Sequence, residues 1–296
     1  MIERIVSVAD IDGRILTAAE WGDPKGFPVV ALHGTPGSRF GRHPDEGAVR
    51  ELGIRLITYD RPGYGGSTRH VGRRVVDCVR DVVAVADAFG LGQFAVTGAS
   101  GGGPHCLAIA ARLPDRVLRA RCVVGLAPFD AEGLDFYAGM DPENIREIGL
   151  AEQGESVLQP ELDRMATADL ERMAADPSKL LSDDWELADA DRAVLADPRI
   201  QAMAGEMMRE AYRNGVWGWV DDDLAFLQPW GFDLAEIRVP VEVHYGAEDV
   251  LVPAAHGAWL AGHVPSAQVT VNKDGGHLTD LDTGLRDLRS LVAAAR

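Results

Sequence analysis

A chain of 296 residues with 46% hydrophobic composition is long enough for one large α/β domain with an insert, and it is too apolar to be disordered. A net charge of −17 excludes binding to nucleic acid through its phosphates. There is no long apolar run, and the first ten residues are charged where a leader would be apolar, so a cytoplasmic protein with no membrane association is expected.

From the N-terminus, β-like runs begin with RIVSVA and RILTAAEW and continue with PVVALHG and IRLITYD. The later runs are nearly unbroken apolar stretches, the pattern of parallel strands covered on both faces. Residues Arg73–Gly92 carry apolar side chains at three- and four-residue spacing and end in glycine, which predicts a helix. FAVTGAS then reads as a strand leading into Ser100, and GPHCLAIAARLPDRV as the helix after it, stopped near Pro114. RARCVVGLA is the next strand. Cys78, Cys106 and Cys122 are odd in number and have no paired spacing, so they read as reduced packing residues and not as a disulfide framework or a metal site.

After Pro128 the texture changes. DPENIREIGLAEQ, QPELDRMATADLERMAADP and DPRIQAMAGEMMREAYRNG read as helices, the first and third opened by Asp-Pro as cap and first turn. VPVEVHYG (Val239–Gly246) and AQVTVNKDGG (Ala267–Gly276) resume the strands, each followed by a helical stretch. Residues 131–236 hold 25 acidic and 8 basic side chains, while the rest of the chain holds 21 of each. Such a shift predicts a boundary. The expected architecture is a mostly parallel, eight-stranded α/β sheet with helices on both faces. Residues 1–130 and 237–296 would form its core, and an acidic helical cap over 131–236 would be inserted between two core strands.

The chemistry is concentrated at strand ends. Gly98-Ala99-Ser100-Gly101-Gly102 is a G-x-S-x-G pentapeptide at a predicted strand-to-helix junction. Glycine costs backbone entropy on folding, so a cluster of it needs a reason. A serine forced into a tight turn projects its hydroxyl, and Gly98 and Gly102 lack side chains where strand and helix approach closely. The Gly101 N–H would lie at a helix N-terminus, where it can stabilise an oxyanion. His33-Gly34-Thr35-Pro36-Gly37, after an earlier strand, offers the Thr35 N–H as a second donor, because Pro36 has none. His33 and Gly34 are expected to support that loop. Asp249, at the end of a strand, is placed to orient a histidine, with Glu248 as its competitor. His277, after a strand and two glycines, is the candidate general base for Ser100. His105, one turn past Ser100, and the closely spaced Trp217 and Trp219 are candidate pocket-lining residues.

Ser100, Asp249 and His277, in that chain order, resemble the α/β-hydrolase fold enzymes, in the bacterial group of esterases, non-haem perhydrolases and prolyl iminopeptidases. The matching pieces run from Val29 to His277 and include Asp60-Arg61-Pro62-Gly63-Tyr64-Gly65-Gly66-Ser67. The resemblance implies a nucleophile elbow, a Ser-His-Asp triad, an oxyanion hole from Thr35 and Gly101, structural roles for Asp60 and Arg61, and no metal or organic cofactor. The expected activity is hydrolysis of a carboxylic ester of a small to medium, mainly apolar substrate. The acidic cap would favour neutral or cationic substrates over anionic ones within a Debye length of ~8 Å. Two alternatives stand beside it. One is an aminopeptidase of the prolyl iminopeptidase kind, whose acidic cap reads a free amine; against it, Gly101-Gly102 follows the serine where those peptidases carry tryptophan then glycine. The other is a non-catalytic ligand-binding protein on the same scaffold.

Overall fold

Eight strands form one sheet in the computed structural model, which describes residues 4–9, 12–181, 185–265 and 267–295. In chain order they are β1 Arg4–Ala9, β2 Ile15–Gly22, β3 Phe27–Leu32, β4 Ile54–Tyr59, β5 Phe94–Ala99, β6 Val117–Val123, β7 Val241–Gly246 and β8 Gln268–Asn272. Each coincides with a β-like run of the sequence. Across the sheet the order is β1-β2-β4-β3-β5-β6-β7-β8. β2 pairs antiparallel with β1 and with β4, and every other pair is parallel. The chain winds from β3 to β4 on one side and then returns to place β5 on the other. The loops leaving the carboxyl ends of β3 and β5 therefore diverge, and ligands of open α/β sheets bind in such a crevice.

Helices cover both faces. On one lie α2 Cys78–Ala88, α3 Gly102–Arg112 and α9 Ala254–His263, and on the other α1 Glu46–Glu51 and α10 Leu281–Ala295. The apolar strands are buried because both sides are occupied. Leu107 and Ile109 of α3 are wholly buried against the sheet; each such side chain contributes about 1.5–3 kcal/mol of transfer free energy.

Between β6 and β7, in the segment expected to form the cap, lie α4 Pro142–Ala151, α5 Glu155–Ala175, α6 Asp189–Leu195, α7 Pro198–Ala211 and α8 Trp217–Phe226. Asp141 and Asp197 cap α4 and α7 by accepting from Glu143 N and Arg199 N, both at 2.8 Å, interactions worth ~1 kcal/mol each. Two elements differ from the sequence reading. α5 begins at Glu155, ahead of Pro160, because Leu158, Leu162 and Ala166 form a stripe buried in the cap's own apolar cluster. The stretch around Trp217 and Trp219 is helical, and Trp219 and Val220 join that same cluster.

Candidate active site

β5 delivers Ser100 in the left-handed region, at φ 53°, which serine rarely adopts without compensation. Its N–H donates to the Val123 carbonyl of the neighbouring strand at 2.9 Å, which fixes the turn. Close approach explains the flanking glycines. A Cβ on Gly102 would fall 2.5 Å from the Leu32 carbonyl oxygen, and one on Gly98 would overlap the Gly102 carbonyl.

The loop after β3 lies against this elbow. A Cβ on Gly34 would sit 3.4 Å from Ser100 Cβ, and one on Gly101 would sit 3.1 Å from Thr35 N. The Thr35 and Gly101 N–H groups are thus neighbours beside Ser100, and among the described residues neither has an acceptor within the protein. The loop is braced from behind by a buried ionic cluster. Arg61 is fully buried; it donates from Nη2 to Gly34 O and Thr35 Oγ1, both at 2.9 Å, and from Nη1 to His33 O. Asp222, carried in by α8, accepts from Thr35 Oγ1 at 2.7 Å, Tyr64 Oη at 2.9 Å, and Arg61 and Arg73 at 2.6 Å each. Burial would raise the Asp222 pKa, but the two guanidinium groups hold it well below the usual carboxylate range. Burial, then the Arg61 charge, drives His33 well below the ordinary imidazole pKa, so its ring is neutral. Its Nδ1 meets Gly34 O at 2.7 Å and its Nε2 accepts from Arg61 N at 3.1 Å, which assigns the proton to Nδ1. Asp222→Ala would leave two buried cations uncompensated, so a loss of about 3–5 kcal/mol in urea unfolding is expected.

The candidate acid–base pair follows β7 and β8. Asp249 Oδ1 accepts from the Leu251 and Val252 N–H groups, both at 2.9 Å, leaving Oδ2 to face His277 Nδ1 at 2.8 Å. Glu248 takes no part in this pairing. Burial by itself would lower the His277 pKa, but the Asp249 charge, its hydrogen bond and the Asp191 charge carry it above the ordinary value. Asp191 is a cap residue on α6 and is fully buried. Its carboxylate accepts from the N–H groups of His277 at 3.0 Å and Leu278 at 2.6 Å. A Cβ on Gly276 would collide with it, so the loop needs glycine there. Ser100 and His277 both line one cavity of about 400 Å³, whose wall is mainly apolar. Among the described residues no hydrogen bond joins Ser100 Oγ to His277 Nε2; in unliganded hydrolases that bond is commonly long and tightens on binding.

A model described as the alpha/beta hydrolase fold matches residues 28–282. The chain belongs to the α/β hydrolase fold family. Among curated proteins it is similar to a 2-hydroxymuconate semialdehyde hydrolase of Pseudomonas putida, 28% identical over 272 residues that cover 90% of this chain and 85% of the relative. It is also similar to a proline iminopeptidase of Neisseria gonorrhoeae, 26% identical over 271 residues covering 86% of this chain and 84% of the relative. The fold matches that of an esterase, RhEst1, from Rhodococcus sp. ECU1013, with a TM-score of 0.66 at 20% identity and 99% of both chains covered.

Three residues expected to line the pocket of this α/β hydrolase lie elsewhere. Trp219 is buried in the cap, stacked on Tyr212 at 5.9 Å, with Nε1 donating to Glu147 at 2.7 Å. Trp217 packs under the Arg69 guanidinium, 4.1 Å from its ring centre. His105 is fully buried against Phe226, 5.8 Å between ring centres, with Nδ1 on Gly101 O at 2.8 Å, and burial together with Arg61 brings its pKa down to about 3. The physical reason is shared: α8 turns into the core, and α3 is covered on all sides. The cap wall of the cavity is made instead by α6 and α7, including Met203 and Met207. Their helical spacing was visible in the sequence but equally describes an ordinary packing face.

A few of the acids of 131–236 also turn inward. Asp221 pairs with Arg69 at 2.8 Å, Asp222 with Arg61 and Arg73, and Asp191 with the His277 loop. Burial pushes Glu147 up to about 7 and raises its neighbour Asp223 as well, so this pair shares a proton. No acidic residue of 131–236 lines the cavity among the described residues. The three cysteines are free and buried; burial raises every thiol, Cys122 to about 12, which suits packing. Among the described residues no helix is long and apolar enough to cross a membrane.

Proposed function

We propose that this α/β hydrolase cleaves carboxylic esters of small to medium, mainly apolar, uncharged substrates through an acyl-enzyme. The observation that carries the reading is that a left-handed Ser100 and His277 line one apolar cavity, with two unengaged N–H groups beside the serine and Asp249 behind the imidazole. His277 takes the proton from Ser100 Oγ as it attacks the carbonyl, and Asp249 holds the imidazole with its proton on Nδ1. Thr35 and Gly101 donate to the oxyanion, each worth roughly 3 kcal/mol in comparable sites. His277 then gives its proton to the leaving alcohol and later activates water to release the acid. Among the described residues the cap wall of the cavity holds no carboxylate, which favours this reading over recognition of a free amine.

The test is a fluorophosphonate probe together with short-chain aryl esters and aminoacyl arylamides, the latter free and N-acetylated. Labelling at Ser100 with turnover of the esters is expected. Neither labelling nor turnover, or turnover confined to free aminoacyl arylamides, overturns the reading.

The electrostatics give a pH dependence. A general base must be neutral, and the His277 pKa is raised, so the acid limb of kcat/KM should have its midpoint above the ordinary imidazole value of about 6.5. Asp191→Asn removes a negative charge that favours the imidazolium, which lowers the His277 pKa and moves the limb to lower pH. It also offers one acceptor where two N–H groups now bind, so the loop shifts and kcat should fall up to about a hundredfold. An unmoved pH profile would leave Asp191 a purely structural group.

A further inference from the structure

We propose that the cavity beside Ser100 takes one long, unbranched, uncharged apolar chain of the substrate, running along the sheet beneath α10. This names the substrate class of the ester-hydrolase reading and rests on it. The floor is the first observation. Ala31 on β3 and Thr97 and Ala99 on β5 belong to the central strands and lie on the α10 face, yet they are part-exposed or exposed; Val30 and Val96, on the opposite face, are fully buried. The small side chains leave unfilled the space that a core would close.

The walls are two parallel records of helical spacing. From α7 come Ile200, Met203, Ala204 and Met207, at i, i+3, i+4 and i+7. From α10 come Leu281, Gly284, Leu288 and Leu291, at i, i+3, i+7 and i+10. Ten residues of helix rise about 15 Å. The cavity of about 400 Å³ is bordered by both stripes, so a flexible chain can lie between them along that length. Thioethers on one wall adapt to a flexible ligand.

The charges at the wall do not call for an ionic ligand on the floor. Arg121 donates from Nε to Glu242 at 2.6 Å, and Asp287 stands 3.6 Å from Arg121 and 3.3 Å from His244. Arg42 lies over the Trp21 ring, 3.8 Å from its centre, with no carboxylate partner among the described residues. Asp280, also on the lining, accepts from Thr283 N at 2.9 Å. Arg42 is the cation that would favour an anionic chain end, and the experiment addresses it.

kcat/KM would be measured for aryl esters from acetate to dodecanoate, and for alkyl acetates of the same chain lengths, which place the chain on the alcohol. In one of the two series each added methylene should raise kcat/KM about fourfold, the equivalent of ~0.8 kcal/mol per buried methylene, until the cavity is full. Gly284→Leu should cut the octanoate-to-acetate ratio, or the octyl-to-methyl ratio, by about tenfold or more. A Cβ at Gly284 would meet only His43 Cδ2, at 3.4 Å, and leucine is the better helix former. Met203→Trp narrows the cavity from the cap side and should act in the same sense. An enzyme that hydrolyses acetates and labels at Ser100, but is indifferent to chain length in both series, overturns the inference alone. So does faster turnover of a chain ending in carboxylate than of its methyl-ended form, which would assign Arg42 an anion. Absence of both labelling and ester turnover overturns the underlying hydrolase reading.

Discussion

Replacing Ser100 with alanine is expected to lower kcat for a short-chain aryl ester roughly a million-fold. The variant loses the hydroxyl proposed to attack beside the Thr35 and Gly101 N–H groups. Alanine accepts the φ of 53° no worse than serine, and the Ser100 N–H bond to Val123 O needs no side chain, so the fold should survive. What remains is catalysis by the two N–H donors and by binding, about 10³–10⁴ over water in comparable triads. The measurement is the steady-state rate, paired with competitive inhibition by the ester to show that the cavity still binds. A rate within tenfold of the parent would move the nucleophile to another residue.

Asp249→Asn should cost about 10⁴ in kcat with little change in fold. The asparagine carbonyl can still accept from Leu251 and Val252, as Asp249 Oδ1 does at 2.9 Å. Its amide would then face His277 Nδ1 and make that atom an acceptor, sending the ring proton to Nε2. A protonated Nε2 cannot take the proton of Ser100. Loss of the carboxylate charge would also lower the His277 pKa. Both consequences can be read from the rate of fluorophosphonate labelling against pH. Labelling as fast as the parent's would remove Asp249 from the mechanism.

The central strands were legible because they are apolar runs bounded by turn residues, the signature of strands covered on both faces, whereas the exposed β8 was legible only by its alternating valines. The elbow was legible for a different reason: glycine is costly, and Gly98 and Gly102 have a steric cause that can be named from sequence. α8 was not legible. A run of three aspartates reads as solvated surface, and the cations that bury Asp221 and Asp222 stand about 150 positions earlier in the chain. Asp191 left no trace at all, because its partners are two backbone N–H groups, which every residue but proline possesses. The cavity stripe on α7 was visible as spacing, but spacing cannot say whether the facing space is filled.

The burial of Asp222 beneath the Thr35 loop bears on how new specificities are grafted onto this scaffold. Numbered along the polypeptide, α8 belongs to the insert, yet its carboxylate is wired to Arg61, Arg73, Tyr64 and Thr35 of the base. A swap of the whole insert with that of a relative would import a foreign keel under the machinery and uncouple it. A crossover placed before Trp217 keeps that keel and exchanges α4 to α7 alone, with Asp191 restored at its position, so that the recognition surface changes while the hearth beneath it stays lit.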